Sequence, residues 1–377
     1  MKELDRILRL RDQTAQAGES VVLATVVRTQ GSSYRLPGAR LLVTSDGRRA
    51  GSVSGGCLED DLVKKAWWLT EKGSVIRRYD TTPDGEIATS GYGLGCNGTI
   101  DVLLERIGPD KGCVLDLAEK VRAERRSAAV AYLIEPRNAV GQRLVIDTEG
   151  FVSHNISNSQ LAGVIENRAR ETAVQGASRR VSLEDEEIFI EMLLPAVRLL
   201  VFGAGDDAKP VTEIAKFLGW QVLVFDGRAH YARHERFPLA DVVSVRRPGE
   251  CSSWIDPWTV AVIMNHSYSQ DLEVLRELSQ TSLPYLGLLG PRKRALQLFE
   301  DAGLDERRLG PVLHSPMGLD IGADGPEQVA LAVIAEIQAA LNGRAGGPLR
   351  YRPGSIHSLE GDAAEAAPGP VHSIACA

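Results

Sequence analysis

The chain has 377 residues, more than one ordinary hydrophobic core accommodates, so we expect two or three domains. A net charge of -7 argues against the sequence-independent hold on phosphates that nucleic-acid-binding proteins need, so no nucleic acid is expected as a partner. The composition, 44% hydrophobic and 25% charged, is typical of a soluble globular protein, and no apolar run reaches the ~18 residues that a membrane span needs.

The N-terminal sequence and the cysteine pattern both indicate the cellular compartment of the protein. The first residues, MKELDRILRLRDQ, are charged throughout and lack the apolar region and cleavage site of a signal peptide. An odd number of scattered cysteines does not describe a disulfide framework, and no CxxC pair has metal-ligand spacing. We therefore expect a cytoplasmic protein with free thiols. Its cysteines are Cys57, Cys96, Cys113, Cys251 and Cys376.

The first hundred residues combine helical and strand patterns. Apolar spacing predicts a helix over residues 3–17, and β-branched residues predict a strand over 20–29. The stretch ARLLVTSDG predicts a second strand, and residues 57–72 predict a helix closed by Gly73. Two further strands, SVIRRYD and GTIDVLLERI, flank a glycine-rich loop.

The next ninety residues match the first hundred at an offset of 103 without a gap. Chance similarity between compatible strand–turn–helix patterns is the alternative, but self-similarity at a fixed offset favours a duplicated unit, with copies at 1–106 and 107–195. The identical positions are Gly38, Arg40, Leu41, Gly47, Ser54, Leu58, Ala66 and Gly73, which meet Gly141, Arg143, Leu144, Gly150, Ser157, Leu161, Ala169 and Gly176.

The second copy lacks the glycines and the cysteine of the first. Where the first copy has Gly55, Gly56 and Cys57, the second has Asn-Ser-Gln at 158–160, and the stretch QGSSYRLPG has no counterpart. If the duplication is real, these residues are not needed to fold the unit, which favours a functional role for them.

A dinucleotide-binding pattern begins the C-terminal part. A strand, a glycine turn, a helix and a second strand are predicted for RLLVFGAGDDAKPVTEIAKFLGWQVLVFDGR. Gly203, Gly205 and Ala208 fit G-x-G-x-x-[GA] after an apolar strand, and Asp226 ends the next strand at the spacing of the ribose-binding acid. Helix N–H groups at such a turn hold a pyrophosphate. We therefore expect a Rossmann-like βαβ unit.

The same alternation continues toward the C-terminus. Strands are predicted at DVVSV, VAVIMN and PYLGLLG, and a last helix begins at Pro326. The fold class is therefore α/β, with a duplicated α+β N-terminal region followed by a Rossmann-like doubly wound C-terminal domain. The expected domains are residues 1–195 and 196–342, and a Gly-, Pro- and Ala-rich tail at 343–377 is expected to be disordered.

The stretch QGSSYRLPGA, residues 30–39, offers hydroxyl and backbone donors at Ser32 and Ser33 beside Arg35. These groups suit an anion-binding loop. An ordinary hairpin turn built on its Pro-Gly pair explains the stretch equally well.

Two cysteines are framed by glycines. In GSVSGGCLEDDL, Cys57 is predicted in the first turn of a helix, where the dipole favours a thiolate and N–H groups attract phosphate. The acidic residues 59–61 oppose a thiolate there, and a plain helix cap is the alternative. In SGYGLGCNGT, Gly95 and Cys96 suit close backbone approach to a ligand, or a flexible loop. Two such cysteines in one copy favour a site more than either alone.

Two polar stretches lie at predicted strand ends in the C-terminal part. His266 follows a buried strand, at the edge where doubly wound sheets bind ligands, and is a candidate ligand contact or a structural cap. The stretch GLLGPRKR suits a second phosphate or a charged helix start. No Ser–His–Asp order, P-loop or zinc pattern supports a hydrolase or a kinase.

Six motifs follow one another between about residues 20 and 341: GSSYRLPGARLLVTSDGRRAGSVSGGCLEDDL, GYGLGCNGTIDVLLE, LLVFGAGDDAKP, VIMNHSYSQD, PYLGLLGPRKR and MGLDIGADGPEQVALAVIAEI. Together and in this order they resemble the xanthine dehydrogenase accessory proteins, the XdhC/CoxI family.

The resemblance implies a chaperone of the molybdenum cofactor, as molybdopterin or its dinucleotide form, rather than an enzyme. Such proteins protect the cofactor while a cysteine desulfurase helps supply its sulfido ligand, and help deliver it to a xanthine dehydrogenase-type molybdoenzyme. A homodimer is expected. Carried over by motif, the cofactor-binding residues are Gly55, Gly56, Cys57, Gly95, Cys96 and the turn from Gly203 to Gly205, with Cys57 and Cys96 as molybdenum-proximal thiols.

Two alternatives stay open. One is an NAD(P)-dependent oxidoreductase that uses Asp226 on a ribose and His266 as acid and base. The other is a nucleotide-sensing scaffold whose cysteines are inert. Asp206 and Asp207, which follow the glycine turn, suit a helix dipole but compete with a bound phosphate.

Overall fold

The chain forms two units that divide between Pro195 and Ala196. Among the helices that the structure describes, none is long and apolar enough to cross a membrane. The computed structural model describes residues 2–31, 33–80, 98–109, 112–246, 249, 251–304 and 312–352.

The first unit contains two antiparallel sheets of five strands with the same topology. Their strand orders are β3-β2-β1-β5-β4 and β8-β7-β6-β10-β9. The first half comprises α1 Lys2–Gln16, β1 Val21–Gly31, β2 Arg40–Thr44, β3 Arg49–Gly51, α2 Glu59–Leu69, β4 Val75–Asp80 and β5 Gly98–Ile107. The second comprises α3 Val114–Glu124, β6 Ala128–Glu135, β7 Arg143–Ile146, β8 Val152–His154, α4 Ser159–Gln175, β9 Arg179–Ser182 and β10 Glu187–Leu193.

The central strand β1 is apolar on both faces because each face meets a different core. Val22 and Ala24 pack with α2 in an outer core. Leu23, which points the other way, packs with Val130 of β6 and with α1 and α3 in an inner core shared by the two sheets. The alternation of side chains along a strand therefore explains why VVLATVV lacks polar positions other than a buried threonine.

Two buried ion pairs join the halves reciprocally. Arg40 of β2 pairs with Glu191 of β10, and Arg143 of β7 pairs with Glu105 of β5. The two arginines are identical positions at the offset of 103. The two carboxylates also correspond, because Glu105 lies opposite Leu23 and Glu191 lies opposite the matching residue of β6. An equal element order and exchanged ion pairs are what a duplicated unit would produce; the duplication itself stays a prediction.

The second unit is a parallel sheet with helices on both faces. Its strand order is β13-β12-β11-β14-β15-β16, so the direction of winding reverses between β11 and β14. The predicted Rossmann-like α/β fold is thus confirmed. Its elements are β11 Arg198–Phe202, α5 Ala208–Phe217, β12 Gln221–Asp226, β13 Val242–Val245, β14 Thr259–Ile263, α6 Tyr268–Leu278, β15 Leu286–Leu288, α7 Arg292–Ala302, β16 Leu313–His314 and α8 Pro326–Leu341.

Strand β11 is buried along its whole length. Leu199 and Val201 face α5 and α8, while Leu200 and Phe202 face α6 and α7. Burial on both faces is why this strand is a continuous apolar run. Of the predicted tail, 343–352 is described and contains a short 3-10 turn at Leu349–Tyr351; the rest lies outside the described residues.

Candidate functional site

The loop that carries Cys57 is organised by a buried carboxylate. Glu59 is 3% exposed and accepts hydrogen bonds from the backbone N–H groups of Val53 and Ser54, at 3.1 and 2.9 Å. The hydroxyl of Ser52 donates to it at 2.8 Å, and the hydroxyl of Ser54 donates to its other oxygen. Burial alone would raise the pKa of Glu59, but the bonds from Ser54 and Ser52 hold that pKa below its ordinary value. The carboxylate is therefore a fixed anion inside the loop.

Cys57 lies ahead of the helix, whereas the sequence predicts it in the first helical turn. Helix α2 begins at Glu59, with Leu58 as its N-cap. The Ser54 hydroxyl accepts hydrogen bonds from the N–H groups of Gly56 and Leu58, both at 3.1 Å, and so bends the chain into a turn before the helix. Gly56 has a φ of +114°, which favours glycine.

The glycine pair exposes backbone beside a free thiol. Gly55 and Gly56 are exposed, and Cys57 is a half-buried free thiol that packs against the outer core. The ring of Tyr34 lies against this turn, since a Cβ atom built on Gly55 would be 3.8 Å from two of its ring carbons. The structure therefore brings the stretch with Tyr34 and the stretch with Cys57 together into one surface, which we call the Cys57 surface: Tyr34, Gly55, Gly56 and Cys57.

The arginines near Tyr34, in the stretch predicted as an anion-binding loop or a hairpin turn, both have carboxylate partners. Arg35 pairs with Glu3 of α1 at 2.6 Å, and Arg40 pairs with the buried Glu191. The hydroxyl of Ser33 donates to the carbonyl oxygen of Arg35. Because carboxylates already compensate both guanidinium charges, the hairpin interpretation fits this stretch better. Ser32, Gly95 and Cys96 lie outside the described residues.

In the second unit, the glycine turn touches the end of β14. A Cβ atom on Gly203, whose φ is +117°, would lie 2.3 Å from the carbonyl oxygen of Met264. A Cβ atom on Gly205 would lie 2.4 Å from a carboxylate oxygen of Asp207, the N-cap of α5. Gly203 therefore needs to be glycine because the backbone approaches it closely, as the dinucleotide motif predicts, whereas the atom nearest to Gly205 is the end of a side chain that can move.

His266 pairs with a carboxylate at the point where the winding reverses. Its Nε2 atom lies 2.7 Å from Oδ2 of Asp207, and its φ of +55° is unusual for a side chain of this size. The pair joins the ends of β11 and β14. An anion bound at the N-terminus of α5 would lie close to the negative charge of Asp207, the N-cap residue of this helix.

Asp226 braces the glycine turn instead of pointing to a ribose. It is fully buried, and its carboxylate accepts hydrogen bonds from the N–H of Ala204 and from the backbone N, Nε and Nη2 atoms of Arg228, at 2.8–2.9 Å. Burial alone would raise the pKa of Asp226, but the bonds from Arg228 and Ala204 lower that pKa. A ribose would have to displace Arg228.

The basic stretch GLLGPRKR likewise serves an internal ion pair. Arg294 lies 2.6 Å from Oδ2 of Asp271, which is 1% exposed, and Oδ1 of Asp271 accepts from the backbone and side-chain N–H groups of Asn265. This network ties α7 to the end of β14. It gives Arg294 a protein partner in place of the predicted second phosphate.

Sequence reasoning missed Ser52, Ser54 and Glu59. The signal that could have found Glu59 is the comparison of the two copies, because Ala162 stands opposite it at the offset of 103. Within the described ranges, no group of three or more His, Cys, Asp or Glu residues is placed to hold a metal ion.

Comparison with known proteins decides the family. Residues 199–337 match the XdhC Rossmann domain, and residues 14–80 match the XdhC and CoxI family. A protein of Bacillus subtilis named as a probable xanthine dehydrogenase component is 32% identical over 338 residues, which cover 86% of this chain and 94% of that protein. This chain belongs to the XdhC and CoxI family. The resemblance inferred from its motifs is thereby confirmed.

Two further relatives of this XdhC/CoxI protein match most of their length. The molybdenum cofactor insertion chaperone PaoD of Escherichia coli is 25% identical over 336 residues, which cover 88% of this chain and 86% of PaoD. A crystal structure described as a xanthine dehydrogenase from Bacillus halodurans is 28% identical, with a TM-score of 0.74, and covers 92% of this chain and 98% of that chain. The segment 14–80 contains the Cys57 surface, and the segment 199–337 contains the Asp207–His266 pair.

Proposed function

We propose that this protein is a chaperone that binds the molybdenum cofactor at the Cys57 surface and helps insert it into a xanthine dehydrogenase-type molybdoenzyme. The observation that carries the proposal is a free thiol held in an exposed glycine turn by a buried, ionised glutamate. Its family membership and the name of its relative PaoD support the same role.

Glu59 and the residues of the Cys57 surface each have a separate role in this proposal. Glu59 fixes the turn by accepting four hydrogen bonds, so that the thiol does not have to be ordered when the cofactor binds. The exposed glycines allow the cofactor to approach the backbone, and the Tyr34 ring offers a flat apolar face for a pterin. The soft sulfur of Cys57 suits molybdenum, which is the metal centre that the cofactor supplies when bound.

The finer steps follow from the same surface. A cysteine desulfurase would approach the exposed side of the turn to supply the sulfido ligand, and the receiving molybdoenzyme would then take the cofactor from that side. We expect the protein to act as a homodimer. The cofactor is molybdopterin or its dinucleotide form.

The NAD(P)-dependent oxidoreductase is the second candidate, favoured by the parallel sheet and the glycine turn. Two carboxylates weigh against it: Asp207 at the start of α5, and Asp226, whose oxygens are taken up by Arg228 and the turn. We therefore assign the Rossmann-like unit no nucleotide.

Cofactor retention tests the proposal directly. The full chain would be purified after co-expression with molybdopterin biosynthesis, and bound pterin would be measured by fluorescence after oxidation. Cys57→Ala should lose most of the pterin, whereas Cys251→Ala, which removes a thiol buried in the second unit, should keep it. Absence of pterin from the wild type, with tight NADH binding instead, would reject the chaperone; equal pterin in both variants would remove Cys57 from the site.

A further inference from the structure

The two halves of the first unit differ at the start of their leading helices. Leu23 and Val130 occupy matching strand positions, because their partners Leu42 and Val145 match at the offset of 103. Leu23 and Val130 are 107 positions apart in the sequence (130 − 23), and at that same separation Ile7 of α1 corresponds to Val114. Helix α1 begins at Lys2, well before this point, whereas α3 begins at Val114 itself.

A cavity lies next to the shorter helix of the second half. In the first half, the start of α1 packs on β3, and Ile7 reaches within 2.8 Å of a Cβ atom built on Gly51. In the second half, a cavity of about 450 Å³ lies beside the start of α3. This volume is within the range of small-molecule pockets. Its apolar walls include Leu23, Ile107, Leu117 and Val145.

One of the two reciprocal ion pairs opens onto this cavity. Glu105 and Arg143 both line it, together with Ser74 and Asn155. Glu105 is 5% exposed, and burial raises its pKa despite the nearby guanidinium of Arg143. A carboxylate has about four acceptor positions, and the bonds from Arg143 and Ser74 use two of them. The remaining positions can accept two adjacent N–H donors from a ligand.

We propose that this cavity binds a planar heterocycle with a 2-amino-4-oxopyrimidine edge, the edge shared by pterins and guanine. The amino group and the neighbouring ring N–H would donate to Glu105, while the carbonyl oxygen at position 4 would accept from Arg143. The apolar walls would cover the two faces of the ring. The cavity borders the inner core and opens to solvent beside exposed residues such as Arg106 and Asn155, whereas Cys57 packs against the outer core. This site is therefore separate from the Cys57 surface and does not depend on the chaperone role.

Matched probes test the recognition of this edge. The full chain would be titrated with pterin and with lumazine, which carries an oxygen in place of the amino group, and in parallel with guanosine and with inosine, which lacks the amino group. Pterin or guanosine should bind at least about tenfold more tightly than its matched analogue, since a hydrogen bond to a charged group is lost. If pterin alone discriminates, the source is a pterin; if guanosine alone does, it is a guanine nucleotide.

The mirror ion pair supplies the control variant. Glu105→Gln should weaken binding of the preferred probe at least tenfold, because the amide presents one acceptor oxygen and one NH2 donor, and this donor would face an N–H of the ligand. Glu191→Gln breaks the corresponding pair away from the cavity and should leave the affinity within about twofold. Val145→Phe, which fills the cavity, should abolish binding even if Glu105→Gln fails to fold. Equal binding of the matched analogues, no binding of any probe, or unchanged affinity in a folded Glu105→Gln or Val145→Phe would overturn the assignment. A pterin held in this cavity would also be retained on purification, so the retention assay at Cys57 is repeated in the Val145→Phe background. Loss of pterin on adding Cys57→Ala to that background then reports on the Cys57 surface alone, and the two proposals can fail separately.

Discussion

The buried carboxylate of Glu59 makes a quantitative prediction for the Cys57 turn. Glu59→Ala removes the acceptor of two backbone N–H groups and two hydroxyls in a site that is 3% exposed. Each buried donor left without a partner lowers the free energy of unfolding by about 1–3 kcal/mol, but some of these donors can hydrogen-bond to water when the loop rearranges. The free energy of unfolding should therefore fall by about 3–5 kcal/mol, and in Glu59→Gln, which keeps one oxygen, by about 1–3 kcal/mol.

The assay is urea unfolding of the full chain at several pH values, with Asp60→Asn as the control. Asp60 neighbours Glu59 in the same helix turn, but its side chain is 62% exposed and pairs only with the exposed Arg49, so this change should cost less than about 0.5 kcal/mol. The folded-state pKa of Glu59 is depressed, so its stabilising contribution is complete above the unfolded value of about 4.3 and is lost as the pH falls toward the folded value. The difference between wild type and Glu59→Gln should thus be constant near neutral pH and shrink below about pH 4. Equal losses in the Gln and control variants, or a difference that grows in acid, would refute this account.

Three further changes test the scaffold. Gly203→Ala should destabilise the second unit by about 2–4 kcal/mol, because the added methyl meets a carbonyl oxygen at 2.3 Å and the φ of +117° is strained; thermal unfolding measures this, and a loss under about 0.5 kcal/mol would contradict the close approach. Glu191→Ala should cost about 3–5 kcal/mol by leaving Arg40 buried without its carboxylate, which urea unfolding measures; a near-neutral result would show that water reaches the guanidinium. Wild type should show no saturable NADH fluorescence change, whereas Arg228→Ala, which frees carboxylate oxygens of Asp226, should gain a measurable one. Tight binding by the wild type would restore the oxidoreductase.

Much of the fold could be predicted because periodicity reports burial. The apolar run of β1 and the glycine turn at Gly203 each have one simple structural cause, and both can be found from the sequence. The predicted start of α2 is wrong by two residues, since a glycine pair before a helix looks the same whether it caps the helix or bends the chain ahead of it. The choice is made by Ser54, whose hydroxyl binds the N–H groups of the turn.

The partner of a charged residue is harder to predict from the sequence than the position of that residue. Asp226 fits the spacing of a ribose-binding acid, but the motif does not contain Arg228, which folds back onto it. Arg35 and Arg294 resemble anion sites in the sequence because their carboxylates, Glu3 and Asp271, lie far away or on another element. Local sequence thus predicts where a charge lies, whereas the charge that compensates it depends on the tertiary fold.

The comparison of the two halves carries more information than either half alone. They share an element order and exchanged ion pairs, so the common features report what the unit needs in order to fold. Their differences point elsewhere: the first half has the glycine–thiol turn and Glu59, where the second has polar residues and Ala162, while the second half has a shortened leading helix and a cavity. The shared architecture requires neither the glycine–thiol turn nor the cavity, so both are available for ligand binding. In our two proposals, the turn binds through the sulfur of Cys57, and the cavity binds through the carboxylate of Glu105 that lines it.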